Sequence, residues 1–357
     1  MRIVVAMSGG VDSSVAAFLL KEKGYDVIGM TMKTWPEEEC GSRGDKLCCS
    51  LESVQFARSV AEDLGIPYYV LNLSKEFAGE VTDYFAREYS LGRTPNPCIY
   101  CNSRLKFGHL YRKALSVGAE KISTGHYSDI LRVEGSYFIA EAKDKKKDQS
   151  YFLFDISKEV LPAIEFPLAN LTKDEVRDIA RKKGFMTSER PESQDICFAS
   201  AGGDYKEYLL KKIGKDAFRE GDIVDTKGKI VGRHKGIVSY TVGQRKGLGV
   251  AMGEPVYVIK IDTKDNIIVV GERDQVMRTK ARVSGISWHY PAPSRKDRFE
   301  VKIRYASKKS PAVVMPESDD SAMIEFDQPQ FAPTPGQAAV FYDGEIVAGG
   351  GWIEEAF

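Results

Sequence analysis

The stretch RIVVAMSGGVDSSVAAFLLKEKG, residues 2–24, decides the fold. Residues 2–6 read as a short buried strand, and Val11 to Lys23 as a helix with Gly24 as its stop. The turn between them gathers successive backbone N–H groups and the positive end of a helix around one point, a geometry that binds phosphate. Gly9 and Gly10 let the backbone come close to a ligand, and Ser8, Ser13 and Ser14 offer hydroxyl donors. Asp12 is foreign to an anion site unless it holds a cation or caps the turn. The lysine of a GKS phosphate loop is absent, and the dinucleotide glycine pattern is absent too. A plain strand–turn–helix would also accommodate two glycines.

Further strands read at YDVIGMTM and YYVLNL. Further helices read at Leu51–Leu64 after Ser50, at Lys75–Glu88, at Phe107–Val117 and at Leu171–Lys182, the last capped by Thr172 or Asn170. KISTGHY follows the Phe107–Val117 helix. This alternation calls for a parallel sheet covered by helices on both faces. SYFIAEAKD and YFLFDI read as strands or edge elements. A short helical piece spans residues 204–215. Beyond it the chain turns to short β-rich runs parted by glycine turns, with TKG, TKDN and YDG suited to hairpins. The division is a domain over 1–204, a small β-rich domain over 205–280, and a small barrel over 281–357.

Apolar residues make up 43% of the chain and charged residues 29%, which calls for a folded soluble protein. The formal net charge is zero, which argues weakly against a nucleic-acid binder. Basic clusters nevertheless occur at Lys143–Lys147 and at Lys302, Arg304, Lys308 and Lys309. No run is long and apolar enough to span a membrane, and IVVAM breaks directly into polar sequence rather than into a signal-peptide pattern. The expected location is the cytoplasm, where six cysteines are not a disulfide framework.

The first motif resembles the PP-loop of ATP pyrophosphatase-type enzymes, usually SGGxDS. Such enzymes cleave ATP between the α and β phosphates, adenylate an acceptor oxygen, and let a nucleophile displace AMP. The cysteines narrow the choice. TPNPCIYCNSRLKFGHL carries Cys98 and Cys101, SQDICFAS carries Cys197, and DKLCCS carries Cys48 and Cys49 with Cys40 just before. Cys-x-x-Cys alone permits redox chemistry, a metal site or inert packing.

The whole chain resembles the tRNA-specific 2-thiouridylase family. The resemblance rests on AMSGGVDSSVAA, GMTMKTW, GRTPNPCIYCNSRLKF, STGHY, KKDQSYFLF, RPESQDICF, YTVGQRKGLGV, VKIRY and TPGQAAVFY, in that order. It implies an adenine-nucleotide alpha-hydrolase-like catalytic domain of α/β class, a small central domain and a tRNA-contacting C-terminal β-barrel. It implies that Ala6, Met7, Ser8, Gly9, Gly10, Val11, Asp12 and Ser13 wrap the ATP phosphates, with Mg2+ near Asp12, and that Met32 and Gly125 line the adenine pocket. Cys197 would carry sulfur as a persulfide and Cys101 would be its catalytic partner. Asn96, Pro97 and Cys98 would lie beside the target base. His126, Lys147, Asp148, Gln149, Arg304, Tyr305 and Gln337 would meet the tRNA.

The implied reaction adenylates the C2 oxygen of the wobble uridine and replaces it with sulfur. Its partners would be a tRNA anticodon arm and a cysteine desulfurase or relay protein, with the enzyme a monomer. Thiolate is the strong nucleophile among side chains, and a second thiol can take part in exchange. Cys101 and Cys197 are expected on mobile loops near the PP-loop, able to form a disulfide after turnover. Reaching C2 calls for extrusion of the base.

One position departs from the family pattern. Many members carry aspartate where this chain has Cys98, and a thiol cannot copy a carboxylate at neutral pH. Either Cys98 is a neutral wall of the pocket, or Cys98, Cys101 and Cys197 ligate an iron–sulfur cluster. Two rivals stand beside the 2-thiouridylase reading: another PP-loop ligase with an amine acceptor, and a nucleotide- or RNA-binding protein without catalysis.

Overall fold

The computed structural model describes residues 1–35, 51–190, 196–198, 205–291 and 295–357. The chain forms two compact units. One comprises residues 1–82, 97–202 and 345–347, the other residues 83–96, 203–344 and 348–357. Cys40, Cys48 and Cys49 lie outside the described residues.

In the first unit, strands β1 (Arg2–Ala6), β2 (Asp26–Lys33), β3 (Tyr68–Asn72), β4 (Lys121–Thr124) and β7 (Ile164–Glu165) form one sheet in the order β3-β2-β1-β4-β7. Every pairing in it is parallel, as the strand–helix alternation requires. β1 lies centrally, and its Ile3, Val4 and Val5 are fully buried. Each such side chain contributes about 1.5–3 kcal/mol on burial. Helix α1 (Val11–Glu22) packs its Val15, Ala16 and Leu20 into the same core as Ala57, Val60 and Ala61 of α2 (Leu51–Asp63) and Val176 and Ala180 of α3 (Lys173–Lys182). β5 (Ser128–Val133) and β6 (Ser136–Glu141) form a hairpin, and Ile346 pairs with Ala140 of β6.

Three local expectations change. The helix expected over Lys75–Glu88 is broken into Ser74–Phe77, a wide-turn π segment at Ala78–Thr82, and Asp83–Ser90. The helix expected from Phe107 begins ten residues earlier. Pro97–Tyr100 leads into a π-helical run at Cys101–Leu110 and then into Tyr111–Ser116. Pro97 at the first helical position favours that start. The run's buried Leu105, Phe107 and Leu110 follow a wider turn than the 3.6-residue template used to find helices. YFLFDI is no strand: it is a 3₁₀ turn at Ser150–Phe152 followed by turns, with Tyr151, Leu153, Phe154 and Ile156 all buried. A short unbroken apolar run does not by itself separate a buried strand from a buried turn.

In the second unit, β8 (Gly221–Val224), β9 (Ile230–His234), β10 (Tyr257–Asp262) and β11 (Ile267–Gly271) form a small sheet in the order β10-β11-β8-β9, and helix α4 (Tyr205–Ile213) precedes it. The β8–β9 and β10–β11 pairs are the hairpins marked by TKG and TKDN. Strands β12 (Met277–Trp288), β15 (Ser321–Phe331), β14 (Ser310–Pro316), β13 (Asp297–Lys302), β16 (Ala338–Asp343) and β17 (Ile346–Ala356) follow one another around a barrel. It closes where Ala281–Trp288 of β12 pairs antiparallel with Gly349–Ala356 of β17. Phe299, Phe341, Val314 and Ile324 fill its core.

Candidate active site

The PP-loop lies between β1 and α1, at the carboxyl ends of the parallel strands, where open α/β sheets bind ligands. Gly9 has φ +71°, and a Cβ there would stand 2.2 Å from the carbonyl oxygen of Ser53. Only glycine meets both demands. Gly10 caps α1 in extended conformation without a side-chain bond, so among the described residues no capping side chain occupies the helix's N-terminal amides. Ser13 and Ser14 spend their hydroxyls inside the loop: both donate to the Gly10 carbonyl, at 3.0 and 2.9 Å. Of the three serines expected to serve phosphate, only Ser8 is exposed. The Arg190 guanidinium braces the loop from outside, donating to Gly9 O at 2.8 Å and Ser53 Oγ at 2.9 Å.

Gly125 follows β4, and a Cβ on it would stand 2.7 Å from Asp12 C and 2.7 Å from Ser13 N. The strand-end backbone thus lies directly against the first turn of α1. Met32 is half-buried on the neighbouring β2.

Asp12 has two partners. Lys173 Nζ lies 2.7 and 2.8 Å from its two carboxylate oxygens, and Tyr127 Oη donates to Oδ1 at 2.8 Å. The Lys173 ammonium also sits 5.7 Å from the Tyr127 ring centroid. Lys173 is the first residue of α3, at the positive end of the helix dipole, where a buried cation needs compensation. Asp12 supplies it, and the Thr172–Glu175 capping box holds the helix start. The sequence reading did not single out Lys173; a lysine directly after the Thr172 cap is the signal that could have found it. Tyr127 and Arg190 were legible only as members of STGHY and RPESQDICF.

His126 follows Gly125. Its Nδ1 lies 2.6 Å from Thr124 Oγ1 and its Nε2 3.4 Å from Lys106 Nζ. An ammonium cannot accept, so Nε2 accepts from Lys106 and the ring is neutral with its proton on Nδ1. Burial, then the Lys106 charge, hold the His126 pKa well below the ordinary value. The ring packs against Phe107 and Phe166.

Cys98 and Cys101 stand on the helix that begins at Pro97, and both are half-buried. The expected mobile loop around Cys101 is therefore a helix. Asn102 Nδ2 donates to Phe152 O at 3.1 Å and Ser103 Oγ to Asp155 Oδ2 at 2.6 Å, clamping it. Cys197 is half-buried beside Phe198, whose ring meets Phe77 at 5.8 Å and Trp35 at 6.2 Å. The Ser74–Thr82 segment that carries Phe77 packs in turn on the Cys98 and Cys101 helices. Phe198, next to Cys197, and the helices that carry Cys98 and Cys101 thus pack on one shared element. Among the described residues, no three Cys, His, Asp or Glu side chains form a metal-holding group. Cys98, Cys101 and Cys197 do not come together as a cluster's ligand set.

The remaining expected residues are placed as follows. Asp148 is buried and accepts from Ala142 N at 3.0 Å and Ser150 Oγ at 2.8 Å. Gln149 Oε1 accepts from Tyr127 N at 3.0 Å. Lys147 is half-buried, and its N–H donates to Asp144 O. In the second unit, Arg304 donates to Val242 O and Ala332 O, Gln337 donates to Thr94 O, and Tyr305 is exposed. Asn96 and Pro97 precede the Cys98 helix, Asn96 half-buried and Pro97 buried.

Against this geometry the comparisons with known proteins fall into place. Residues 1–201 match the model described as tRNA methyl transferase HUP domain. Residues 206–272 match the tRNA methyl transferase PRC-barrel domain and residues 278–353 the aminomethyltransferase beta-barrel domain. The chain is 45% identical to tRNA-specific 2-thiouridylase MnmA 1 of Caldanaerobacter subterraneus, over 99% of this chain and 98% of that one. It is 46% identical to tRNA-specific 2-thiouridylase MnmA of Geotalea uraniireducens, over 99% and 95%. The chain belongs to the tRNA-specific 2-thiouridylase family. The first two domain descriptions carry a methyl-transferase name, whereas the 2-thiouridylases match along the whole chain. The 2-thiouridylase of Acetivibrio thermocellus is likewise 45% identical over 99% of each chain. No helix among the described residues is long and apolar enough to cross a membrane.

Proposed function

We infer that the protein is an ATP-dependent tRNA-uridine 2-sulfurtransferase that converts the wobble uridine to 2-thiouridine. The observation that carries this reading is full-length kinship with the 2-thiouridylases, on a chain whose PP-loop and two thiol-bearing segments share one compact unit.

ATP is the first substrate. The uncapped amides of α1 and the glycine backbone of Gly9 and Gly10 receive its phosphates, and Met32 and Gly125 border the adenosine. Asp12, paired with Lys173, is the loop carboxylate that would hold Mg2+ bound with the triphosphate, where the ion would supply charge neutralisation at the phosphates. The C2 oxygen of the extruded uridine attacks the α-phosphorus and diphosphate leaves, with the Lys173 ammonium beside the accumulating charge. The terminal sulfur of a Cys197 persulfide attacks C2 and AMP departs with the oxygen. Cys101 thiolate then attacks the Cys197 sulfur, the S–S bond to the transferred atom breaks, and 2-thiouridine is released with a Cys101–Cys197 disulfide. A dithiol reductant restores the thiols. The sulfur comes from a persulfide-bearing donor such as a cysteine desulfurase or a relay protein. Cys98 forms a neutral wall of the pocket.

The test is incubation of the protein with ATP, Mg2+, substrate tRNA and a cysteine desulfurase charged with cysteine. Nucleoside mass spectrometry should find 2-thiouridine, with one AMP and one diphosphate per modified base. Diphosphate without 2-thiouridine, or with a small amine adduct, would move the protein to another PP-loop ligase class.

A further inference from the structure

YTVGQRKGLGV, residues 240–250, has no part in the chemistry above, yet the second unit holds its base with unusual care. Arg304 Nη2 donates to Val242 O at 3.2 Å and Ala332 O at 2.8 Å, and also to Thr334 Oγ1. Thr94 Oγ1 meets Thr241 Oγ1 at 3.1 Å, while Gln337 Nε2 donates to Thr94 O at 2.6 Å. Gly243 N donates to Val258 O, and Val258 N returns a bond to Gln244 O. Gly243 has φ +86°, and a Cβ on it would stand 2.6 Å from Ala332 Cβ, so the loop is seated with no room to spare.

The tip is built differently. Gly247 and Gly249 both adopt left-handed backbone, at φ +75° and +68°. Leu248 between them is buried, and Arg245 and Lys246 are exposed. Among the described residues neither cation has a carboxylate partner. Other cations of the same unit are paired, Arg282 with Glu317, Lys280 with Glu325, Lys260 with Asp262 and Arg298 with Asp327. Two adjacent positive side chains, uncompensated and carried on a fixed loop, suit a polyanion rather than a single carboxylate. Lysine and arginine in such places contact phosphates and position a nucleic acid without reading its bases.

We propose that Arg245 and Lys246 form a contact for the phosphate backbone of the tRNA, with Arg304 and Gln337 acting as positioning residues for the loop that carries them. The proposal rests on the reading that tRNA is the substrate.

The test measures tRNA affinity of the full-length protein from 50 to 300 mM KCl, by anisotropy of end-labelled substrate tRNA. The R245Q/K246Q variant should bind about tenfold more weakly near 100 mM KCl. Its slope of log affinity against log salt should be shallower by about one to two, since each lost phosphate contact removes about 0.7–0.9. A non-substrate tRNA should lose affinity by the same factor, and KM for tRNA should rise while kcat stays unchanged. K246E should weaken binding further, and R245K should retain most of it. Wild-type affinity and slope in both R245Q/K246Q and K246E, with wild-type thiolation intact, would overturn the proposal alone. Wild-type protein that neither binds nor thiolates tRNA would overturn the reading beneath it as well.

Discussion

Lys173 and Asp12 lie 161 residues apart, yet the ammonium of one sits 2.7 and 2.8 Å from the two carboxylate oxygens of the other. The pair joins the first turns of two helices, each presenting its positive end. Lys173 is buried, whereas Asp12 is partly open to the loop. In the reading proposed above, an incoming triphosphate would compete with Asp12 for the ammonium.

Replacing the ammonium should therefore act on the first chemical step. Lys173→Met is expected to slow diphosphate release by about 100-fold or more, in line with the loss of a preorganised charge. Affinity for tRNA should stay within about threefold. Rapid-quench assay of diphosphate with saturating tRNA reads this directly. Equal diphosphate rates in wild type and variant would exclude the role.

The capping box should matter to the same step through position. Thr172→Ala removes the hydroxyl that accepts from Glu175 N and is expected to cost about 1 kcal/mol of stability. Lys173 is the next residue, so the variant should also lose diphosphate-release rate well below its melting temperature. Thr172→Ser should restore both. Thermal unfolding with initial rates at 25 °C separates the two effects.

Gly125 tests the fit of strand end to loop. Gly125→Ala places a methyl against the Asp12 and Ser13 backbone, which cannot rotate away. Overpacking of this kind costs about 1–3 kcal/mol. Its consequence should be a KM for ATP raised at least about tenfold, with tRNA affinity unchanged. Titration with ATP and with tRNA in parallel would show the split, and an unaltered ATP KM would refute it.

The thiols predict a division of labour. Cys197→Ser and Cys101→Ser should each abolish 2-thiouridine, while diphosphate release continues in both. Wild-type protein after one turnover without reductant should yield a 101–197 disulfide on peptide mapping. Its absence from turned-over enzyme would remove the sulfur relay described above.

His126 gives the protein an acid-side weakness. The folded ring resists protonation, whereas the unfolded one takes a proton near pH 6.5. Above that pH both states are neutral and stability is at its full value. Below it the unfolded state binds the extra proton. Stability then falls by up to about 1.4 kcal/mol per pH unit until the folded pKa is reached. Denaturant melts at pH 7.5, 6.5 and 5.5 should show this loss, and His126→Gln should flatten it. Lys106→Met should reduce it, because removing the like charge raises the folded pKa. Identical pH slopes in all three proteins would rule the ring out as the source.

Much of this was legible along the chain because it rests on short-range rules. Residues 2–24 specify strand, turn and helix by apolar spacing and two glycines. The all-parallel sheet follows from alternation, and the hairpins of the second unit follow from glycine turns. Ordered motifs carried the family. What escaped was whatever depends on distance through space. No spacing rule joins Lys173 to Asp12, Lys106 to His126, or Arg304 to the 241–249 loop, because those partners meet only when separate elements pack. The Cys101 helix escaped for a local reason: its wider turn breaks the 3.6-residue period. Sequence alone thus determined most of the elements and the candidate reacting residue types, since propensity and hydrophobic pattern act over a few neighbours. Only tertiary structure decided which charge faces which, since an ion pair is fixed by the positions of its two ends.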